Sequence, residues 1–352
     1  MSSLPKKPRM SNVRTLGGDA AAWRGASLVS VEQLEPAAMD LLFATADAMK
    51  ADVRSPAGGS DALRGKVLGN VFYEPSTRTN CSFQAAMLRL GGTTIAVNES
   101  TSSVAKGETL SDTVRSLESY CDALVLRHPT KGSAREAAEA MRKPLLNAGD
   151  GVGEHPTQAL LDLFTVVDAH PCAGGVAGGG GGGGGGLGLG GLRLTLLGDL
   201  KHGRTVHSLA LLAARVAAPP RLAFCAPASL GMPDEVTAAL TEKGVAFDTH
   251  DSLAAALPQS DVLYVTRVQK ERFPSAEAYD AVRGAYVVDR KALDSAPKDC
   301  IVMHPLPRVD EIATDVDADP RAKYFEQMEN GMYVRMALLA LVLGADLSAL
   351  PP

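Results

Sequence analysis

The sequence predicts an α/β protein of two doubly wound domains, each a parallel sheet flanked by helices, with a C-terminal helix closing the chain. Three observations support this fold class. Short apolar runs alternate with segments of helical spacing along most of the chain. Only 5% of the residues are aromatic, so the core must consist mainly of Leu, Val and Ala. A glycine-rich break divides the alternation into two similar parts, which suits a length of 352 residues.

The first domain is predicted over residues 26–165. Its first strand, over 66–72, is apolar and ends before Pro75, which cannot donate to a sheet. Phe83, Ala86 and Met87 then recur at helical spacing until Gly91. The same alternation predicts further helices over 35–50, 80–90, 110–120, 134–141 and 155–169, and further strands over 94–97, 123–126 and 145–147.

The second domain is predicted over 166–323 and begins with a flexible glycine-rich loop over 174–191. Nine consecutive glycines occupy 178–186, and glycine loses the most backbone entropy on ordering. The end of this loop imitates a dinucleotide fingerprint, but it precedes a strand instead of following one, which excludes that function. The predicted strands cover 193–197, 221–225, 262–266 and 301–303, and the predicted helices cover 205–216 and 234–243.

The C-terminal end of the chain is predicted to be helical and the N-terminal end to be disordered. Residues 324–352 carry a helical pattern over 324–343, which we expect to pack back on the first domain. Residues 1–25 have no long apolar stretch and are predicted to form a disordered tail.

Composition excludes several classes of protein. A net charge of −5 argues against a nucleic-acid partner. No apolar run reaches the ~20 residues of a membrane span. The five cysteines show neither a zinc spacing nor a disulfide framework, which favours a reducing compartment.

Four arginines follow four of the predicted strands: Arg78, Arg127, Arg204 and Arg267. In parallel sheets these strand ends meet at one edge, so the arginines should form a cationic pocket for a ligand with several negative charges. Residues 76–79, Ser-Thr-Arg-Thr, also open a helix, where free N–H groups bind anions. The alternative for that segment alone is an N-cap beside a solvated arginine.

Four other segments leave more than one interpretation open. Residues 198–205 imitate a phosphate-binding Walker loop, but Arg204 stands where lysine belongs and no Asp-terminated strand completes a magnesium site. His155, with Gln158 one helical turn later, suits either the site or a structural hydrogen bond. The polar loop over 100–110, taken alone, suits an exposed loop better than a binding site. His304, between a strand and two prolines, suggests a role in a rigid backbone more than a role in binding.

These segments, in this order, resemble the aspartate carbamoyltransferases, most closely those of animal multienzyme pyrimidine proteins, over roughly residues 28–345. The motifs that carry the resemblance are Phe-Tyr-Glu-Pro-Ser-Thr-Arg-Thr at 72–79, Lys-Gly-Glu-Thr-Leu at 106–110, Leu-Arg-His-Pro at 126–129, Asn-Ala-Gly-Asp-Gly-Val-Gly-Glu-His-Pro-Thr-Gln at 147–158, Gly-Asp-Leu-Lys-His-Gly-Arg-Thr at 198–205, Thr-Arg-Val-Gln at 266–269 and His-Pro-Leu-Pro-Arg at 304–308. The resemblance does not extend to the glycine tract or to residues 1–25.

The resemblance implies transfer of the carbamoyl group of carbamoyl phosphate to L-aspartate, with no cofactor and no metal. It makes 26–165 the carbamoyl phosphate domain and 166–323 the aspartate domain. It assigns Arg78, Thr79, Lys106, Arg127 and His155 to catalysis. Carbamoyl phosphate would be bound by Ser76, Thr77, Arg78, Thr79, Ser102, Arg127, His155, Gln158 and Leu306, and aspartate by Lys106, Arg204, Arg267 and Gln269.

The resemblance also implies a homotrimer, in which Ser102 and Lys106 reach the neighbouring subunit's site, and pyrimidine-pathway multienzyme partners. The expected location is the cytoplasm, with a plastid as the alternative. Ornithine carbamoyltransferase is the first rival, but Arg204 and Arg267 would repel a cationic side chain. A non-catalytic homologue serving assembly is the second rival.

Overall fold

Two parallel sheets, each covered by helices, make up the computed structural model of this chain. The structure describes residues 11–56, 58–98, 107–170, 187–269, 273, 275–280 and 282–348. The predicted α/β fold class is confirmed.

The first sheet has four strands in the order β2-β1-β3-β4, all parallel. Its part of the chain runs α1 (Ala20–Trp23), α2 (Pro36–Arg54), β1 (Val67–Phe72), α3 (Thr77–Arg89), β2 (Thr93–Asn98), α4 (Leu110–Leu117), β3 (Ala123–His128), α5 (Ser133–Ala140), β4 (Leu145–Asp150) and α6 (Pro156–Ala169). Helix α3 begins three residues earlier than predicted, because Ser76 has the extended backbone of an N-cap. Thr77, Arg78 and Thr79 therefore form its first turn, where backbone N–H groups lack intrahelical acceptors.

The second sheet has five strands in the order β7-β6-β5-β8-β9, again parallel. Its part of the chain runs β5 (Arg193–Leu197), α7 (Arg204–Ala213), β6 (Arg221–Cys225), α8 (Asp234–Glu242), β7 (Phe247–His250), α9 (Leu253–Ala256), β8 (Val262–Val265), α10 (Ala276–Asp280), α11 (Arg290–Leu293), β9 (Ile301–Met303) and α12 (Tyr324–Leu343). Strand β7 was not predicted, because it is a half-exposed edge strand whose residues are mostly polar.

The prediction of a disordered tail over 1–25 is wrong for residues 11–25, while residues 1–10 lie outside the described residues. Trp23 is fully buried, and its indole Nε1 donates to the carbonyl of Gly17 at 2.9 Å. Asn12 Nδ2 donates to the carbonyl of Ala138 at 2.8 Å, and Gly25 N donates to the carbonyl of Val342 at 2.8 Å. A buried indole and these hydrogen bonds hold the segment on the first domain.

Most of the predicted glycine-rich loop, 174–186, lies outside the described residues. Where the structure resumes, Leu187 and Leu189 are buried. Leu187 N donates to Asp40 Oδ1 at 2.7 Å, and Gly188 pairs with Ala218. The end of the loop is therefore part of the packed structure.

Helices α6 and α12 connect the two sheets. Helix α12 packs against α2, α3 and α6, and α6 packs against α7 of the second domain. Both helices are buried along most of their length. Among the described helices, none has the length and apolarity needed to cross a membrane.

Candidate active site

A cleft of about 600 Å³ opens between the two domains at the carboxyl ends of the strands. Eleven of the predicted site residues line it: Ser76, Thr77, Arg78, Thr79, Arg127, His155, Gln158, Arg204, Arg267, Gln269 and Leu306. The other two, Ser102 and Lys106, lie outside the described residues. Ligand sites in parallel α/β folds are found at such strand ends.

The start of α3 forms one wall of the cleft. The Ser76 side chain does not cap the helix, so it does not compete for the N–H groups of the first turn. Arg78 is exposed, and partial burial lowers its pKa without removing its charge. N–H groups, hydroxyls and a guanidinium together suit a phosphate group.

Glu74, which sequence reasoning did not assign to the site, joins arginines of both domains. One of its oxygens, Oε2, lies 3.1 Å from Arg127 Nη2 and 3.1 Å from Arg204 Nη2. Arg127 also donates to the carbonyl of Ala148 at 3.1 Å, and Arg204 donates to the carbonyl of Gly151. Burial, together with the positive charge of Arg204, lowers the pKa of Arg127 to about 10 although Glu74 opposes the shift. Arg127 stays charged at neutral pH.

Gly149 lets these two guanidinium groups approach the backbone of β4. It has a φ of 115°, in a region that favours glycine, and lies where the pairing of β3 with β4 changes register. A Cβ atom added here would lie 3.1 Å from Arg127 Nη1 and 3.2 Å from Arg204 Nη2. A side chain at this position would therefore displace both arginines.

His155 stands at the N-terminus of α6 and is buried. Burial, and then the positive charges of Arg127, Arg204 and Arg335, hold its pKa well below the ordinary value. Its backbone N–H donates to Ser208 Oγ at 3.2 Å, which ties the helix start to α7. The imidazole is therefore neutral at physiological pH and can donate a hydrogen bond without carrying charge.

The second-domain wall carries Arg204, Arg267 and Gln269. Buried Asp199 accepts from Gln269 N at 3.4 Å, and Gln269 Nε2 donates to the carbonyl of His202 at 3.4 Å. Asp199 also contacts His202 Nδ1 at 3.1 Å. His202 lines the cleft, although sequence reasoning gave it no role.

Leu306 lies in the turn after β9 and has a φ of 55°, which is strained for a residue with a side chain. His304 holds this turn, as its position between a strand and two prolines suggests. Leu306 N donates to His304 Nδ1 at 2.7 Å, so the ring proton is on Nε2, which faces Glu311 Oε1 at 2.7 Å.

Arg335 is a further cleft residue that sequence reasoning missed. It lies on α12 and is buried, and Nη1 donates to Ser82 Oγ at 2.8 Å. Burial lowers its pKa to about 10, so it still contributes positive charge. Its sequence neighbours are apolar helix residues, which give no local signal of a binding role.

The cleft between the two α/β domains is lined by arginines and suits anionic ligands, and comparison with known families gives the class of protein. Residues 26–168 match the carbamoyl-P binding domain of aspartate/ornithine carbamoyltransferase, and residues 190–342 match the Asp/Orn binding domain. The chain belongs to the aspartate/ornithine carbamoyltransferase family.

Within that family the chain is similar to the aspartate enzymes, as its sequence predicts. It is 50% identical over 322 residues to the multifunctional protein pyr1-3 of Dictyostelium discoideum, covering 91% of this chain and 14% of that protein. It is 44% identical over 334 residues to the chloroplastic aspartate carbamoyltransferase of Oryza sativa, covering 93% and 87% of the two chains. Aspartate transcarbamoylase of Trypanosoma cruzi, solved with carbamoyl phosphate and aspartate, matches with a TM-score of 0.82 and 40% identity, covering 92% of this chain and 97% of that one.

Proposed function

We propose that this chain transfers the carbamoyl group of carbamoyl phosphate to the amine of L-aspartate, giving N-carbamoyl-L-aspartate and phosphate. The observation that carries the proposal is the cleft itself, where arginines of both domains converge around Glu74. A dianionic phosphate and a dicarboxylate can share one cleft only if several cations surround them. The names of the matched relatives support the same reaction.

Carbamoyl phosphate would occupy the first-domain wall. Ser76, Thr77, Arg78 and Thr79 suit the phosphate, because α3 presents free N–H groups there. Thr79, Arg127 and neutral His155 would donate to the carbamoyl oxygen. Gln158 and the Leu306 carbonyl would accept from the carbamoyl amine.

Aspartate would occupy the opposite wall, with its carboxylates on Arg204, Arg267 and Gln269. Ornithine would bring a cationic side chain to the same arginines, where like charges repel. The family includes ornithine enzymes, so this wall is the feature that favours aspartate.

The reaction then needs positioning and charge stabilisation more than any reactive group. The neutral amine nitrogen attacks the carbamoyl carbon, and the carbonyl oxygen becomes an oxyanion. Donors aimed at that oxygen stabilise it. The carbon–oxygen bond to phosphate breaks with its electron pair, the amine loses one proton, and phosphate leaves with that proton while Arg78 neutralises its charge.

A homotrimer with shared sites is part of the proposal, because the family assigns Ser102 and Lys106 to the neighbouring subunit's cleft. Mixing Lys106→Ala chains with Arg78→Ala chains would test it. Mixed trimers should recover part of the activity, since some of their sites would combine two unmodified contributions. Verified mixed trimers that stay inactive would contradict sharing.

The cellular context is also proposed. The chain spans about one seventh of the multifunctional relative that it matches, so the rest of that relative carries other parts. Together with the resemblance to aspartate carbamoyltransferases, this supports a role in pyrimidine biosynthesis, with other pathway enzymes as partners. We propose a cytoplasmic location, and the chloroplastic relative makes a plastid the alternative.

One assay decides the reaction. Purified protein receives carbamoyl phosphate with either aspartate or ornithine, and phosphate release and the carbamoylated product are both measured. We expect turnover with aspartate and none above background with ornithine. Turnover with ornithine would assign the rival activity, and turnover with neither would favour a non-catalytic homologue.

A further inference from the structure

A buried carboxylate lies directly beneath the cleft. Asp162 is on α6, one turn after Gln158, and has no exposed surface. Its Oδ1 accepts from Gln158 Nε2 at 2.8 Å and from Gln327 Nε2 at 2.6 Å. Its Oδ2 accepts from the Tyr264 hydroxyl at 2.7 Å. Three donors from α6, α12 and β8 thus meet at one carboxylate.

This contact decides which end of the Gln158 amide faces the ligand. An ionised carboxylate only accepts hydrogen bonds, so the amide must turn its NH₂ group toward Asp162. The oxygen of Gln158 is left for the cleft, which this side chain lines. A carbamoyl NH₂ group offers donors and needs an acceptor there.

The second acceptor is connected to the same carboxylate. Gln327 donates to Asp162 with Nε2 and, with Oε1, accepts from His304 N at 2.9 Å. His304 in turn holds Leu306 N through Nδ1 at 2.7 Å. The Leu306 carbonyl therefore takes its position from a chain of hydrogen bonds that ends on Asp162.

We propose that Asp162 is a positioning residue that aims both acceptors at the carbamoyl amine, and so makes the site prefer carbamoyl phosphate to an acyl phosphate with a methyl group in its place. The inference rests on the proposed function. It adds the source of the preference, since a site built from acceptors rejects a ligand that leaves them unpaired.

Only the ionised form of Asp162 orients the two amides in this way, because a carboxylate accepts hydrogen bonds and does not donate them. Burial raises the pKa of Asp162 to about 7, although its three donors and the charge of Arg335 stabilise the ionised form. The test should therefore run at about pH 8, above that pKa.

Asp162→Leu is the first variant. Leucine is of similar size but accepts no hydrogen bond, so the NH₂ groups of Gln158 and Gln327 lose the acceptor that orients them. The measurements are the KM for carbamoyl phosphate and the inhibition constant of acetyl phosphate, which carries a methyl group instead of the amine. We expect the preference for carbamoyl phosphate to fall about tenfold or more, with acetyl phosphate binding changed less than about twofold.

Thr165→Val is the matched control. Thr165 is also buried on α6, accepts from Asn330 Nδ2 of α12 at 3.3 Å and donates to the Leu161 carbonyl at 2.8 Å. Its hydrogen bonds in the described part of the chain go to Leu161 and Asn330 and not to Gln158 or Asp162, so the variant should keep the wild-type preference.

Gln327→Leu provides a second variant if Asp162→Leu fails to fold. It removes the link between Asp162 and the turn after β9 but leaves the hydrogen bond between Gln158 and Asp162 in place, and we expect a loss of preference of about threefold or more. Equal weakening of both ligands, or an unchanged preference, in the folded variant would overturn the inference. Wild-type protein that does not transfer the carbamoyl group at all would instead overturn the proposed function.

Discussion

Gly149→Ala tests whether the backbone of β4 sets the positions of the two central arginines. The added Cβ would lie 3.1 Å from Arg127 Nη1 and 3.2 Å from Arg204 Nη2. Such contacts are tight enough that both guanidinium groups must move by a few tenths of an ångström. If a displacement of about 1 Å costs about 100-fold in rate, these smaller shifts should lower kcat/KM by about threefold to tenfold.

The same substitution also strains the backbone, because Gly149 has a φ of 115°. A non-glycine residue in a left-handed conformation costs about 1–2 kcal/mol. Urea unfolding of Gly149→Ala should therefore show a loss of about that size in the free energy of unfolding.

Gly132→Ala separates the two effects. Gly132 at the start of α5 has a φ of 86°, but a Cβ there would meet nothing within 4 Å. We expect a similar loss of stability and an unchanged kcat/KM. Equal activity losses in both variants, or a fully active Gly149→Ala, would refute the displacement argument.

Three further predictions concern charge in the cleft. Glu74→Gln leaves two half-buried guanidinium groups without their shared carboxylate, so the free energy of unfolding should fall by about 1–3 kcal/mol. Added phosphate can replace the lost negative charge, so it should raise the Tm of the variant more than the Tm of wild type. Equal Tm shifts in the two proteins would contradict this prediction. Arg267→Ala should raise the KM for aspartate about tenfold or more and change the KM for carbamoyl phosphate less than about twofold. Arg78→Ala should instead lower kcat by about 1,000-fold. Steady-state kinetics with each substrate varied will show whether the two variants affect different kinetic constants. His155 has a pKa well below 6.5, so its ¹⁵N signals should not titrate between about pH 6 and 8. As the pH falls below 6.5, this histidine is protonated in the unfolded chain but stays neutral in the folded protein, so its contribution to stability decreases on acidification. A titration of the folded His155 near pH 6.5 would contradict its burial.

The four strand-end arginines of the cleft could be predicted because their signal is local. Each follows an apolar run short enough to be a strand, and parallel strands end at the same edge of a sheet. Arg127 and Arg204 therefore belong to one pocket even though 77 residues separate them in the sequence. The early start of α3 was missed by three residues, because Pro75 and the hydroxyl residues after it suggest both a turn and a helix start.

Other parts of the site had no local signal. Asp162 lies in a run of apolar helix residues, and its partners Tyr264 and Gln327 are 102 and 165 residues away. Residues 11–25 lack an apolar run, yet Leu16 and Trp23 are both fully buried and anchor the segment in the core. Long-range partners of single buried residues leave no periodic pattern in a sequence.

The sequence by itself determined the two parallel sheets, the cationic strand ends and the kinship with aspartate carbamoyltransferases, since these depend on short-range periodicity and contiguous motifs. Only the tertiary structure decided that Glu74 is shared by arginines of both domains, that His155 is neutral, and that the Gln158 amide turns its oxygen to the cleft. Those properties depend on desolvation and on partners brought together by folding, which no local pattern of residues specifies.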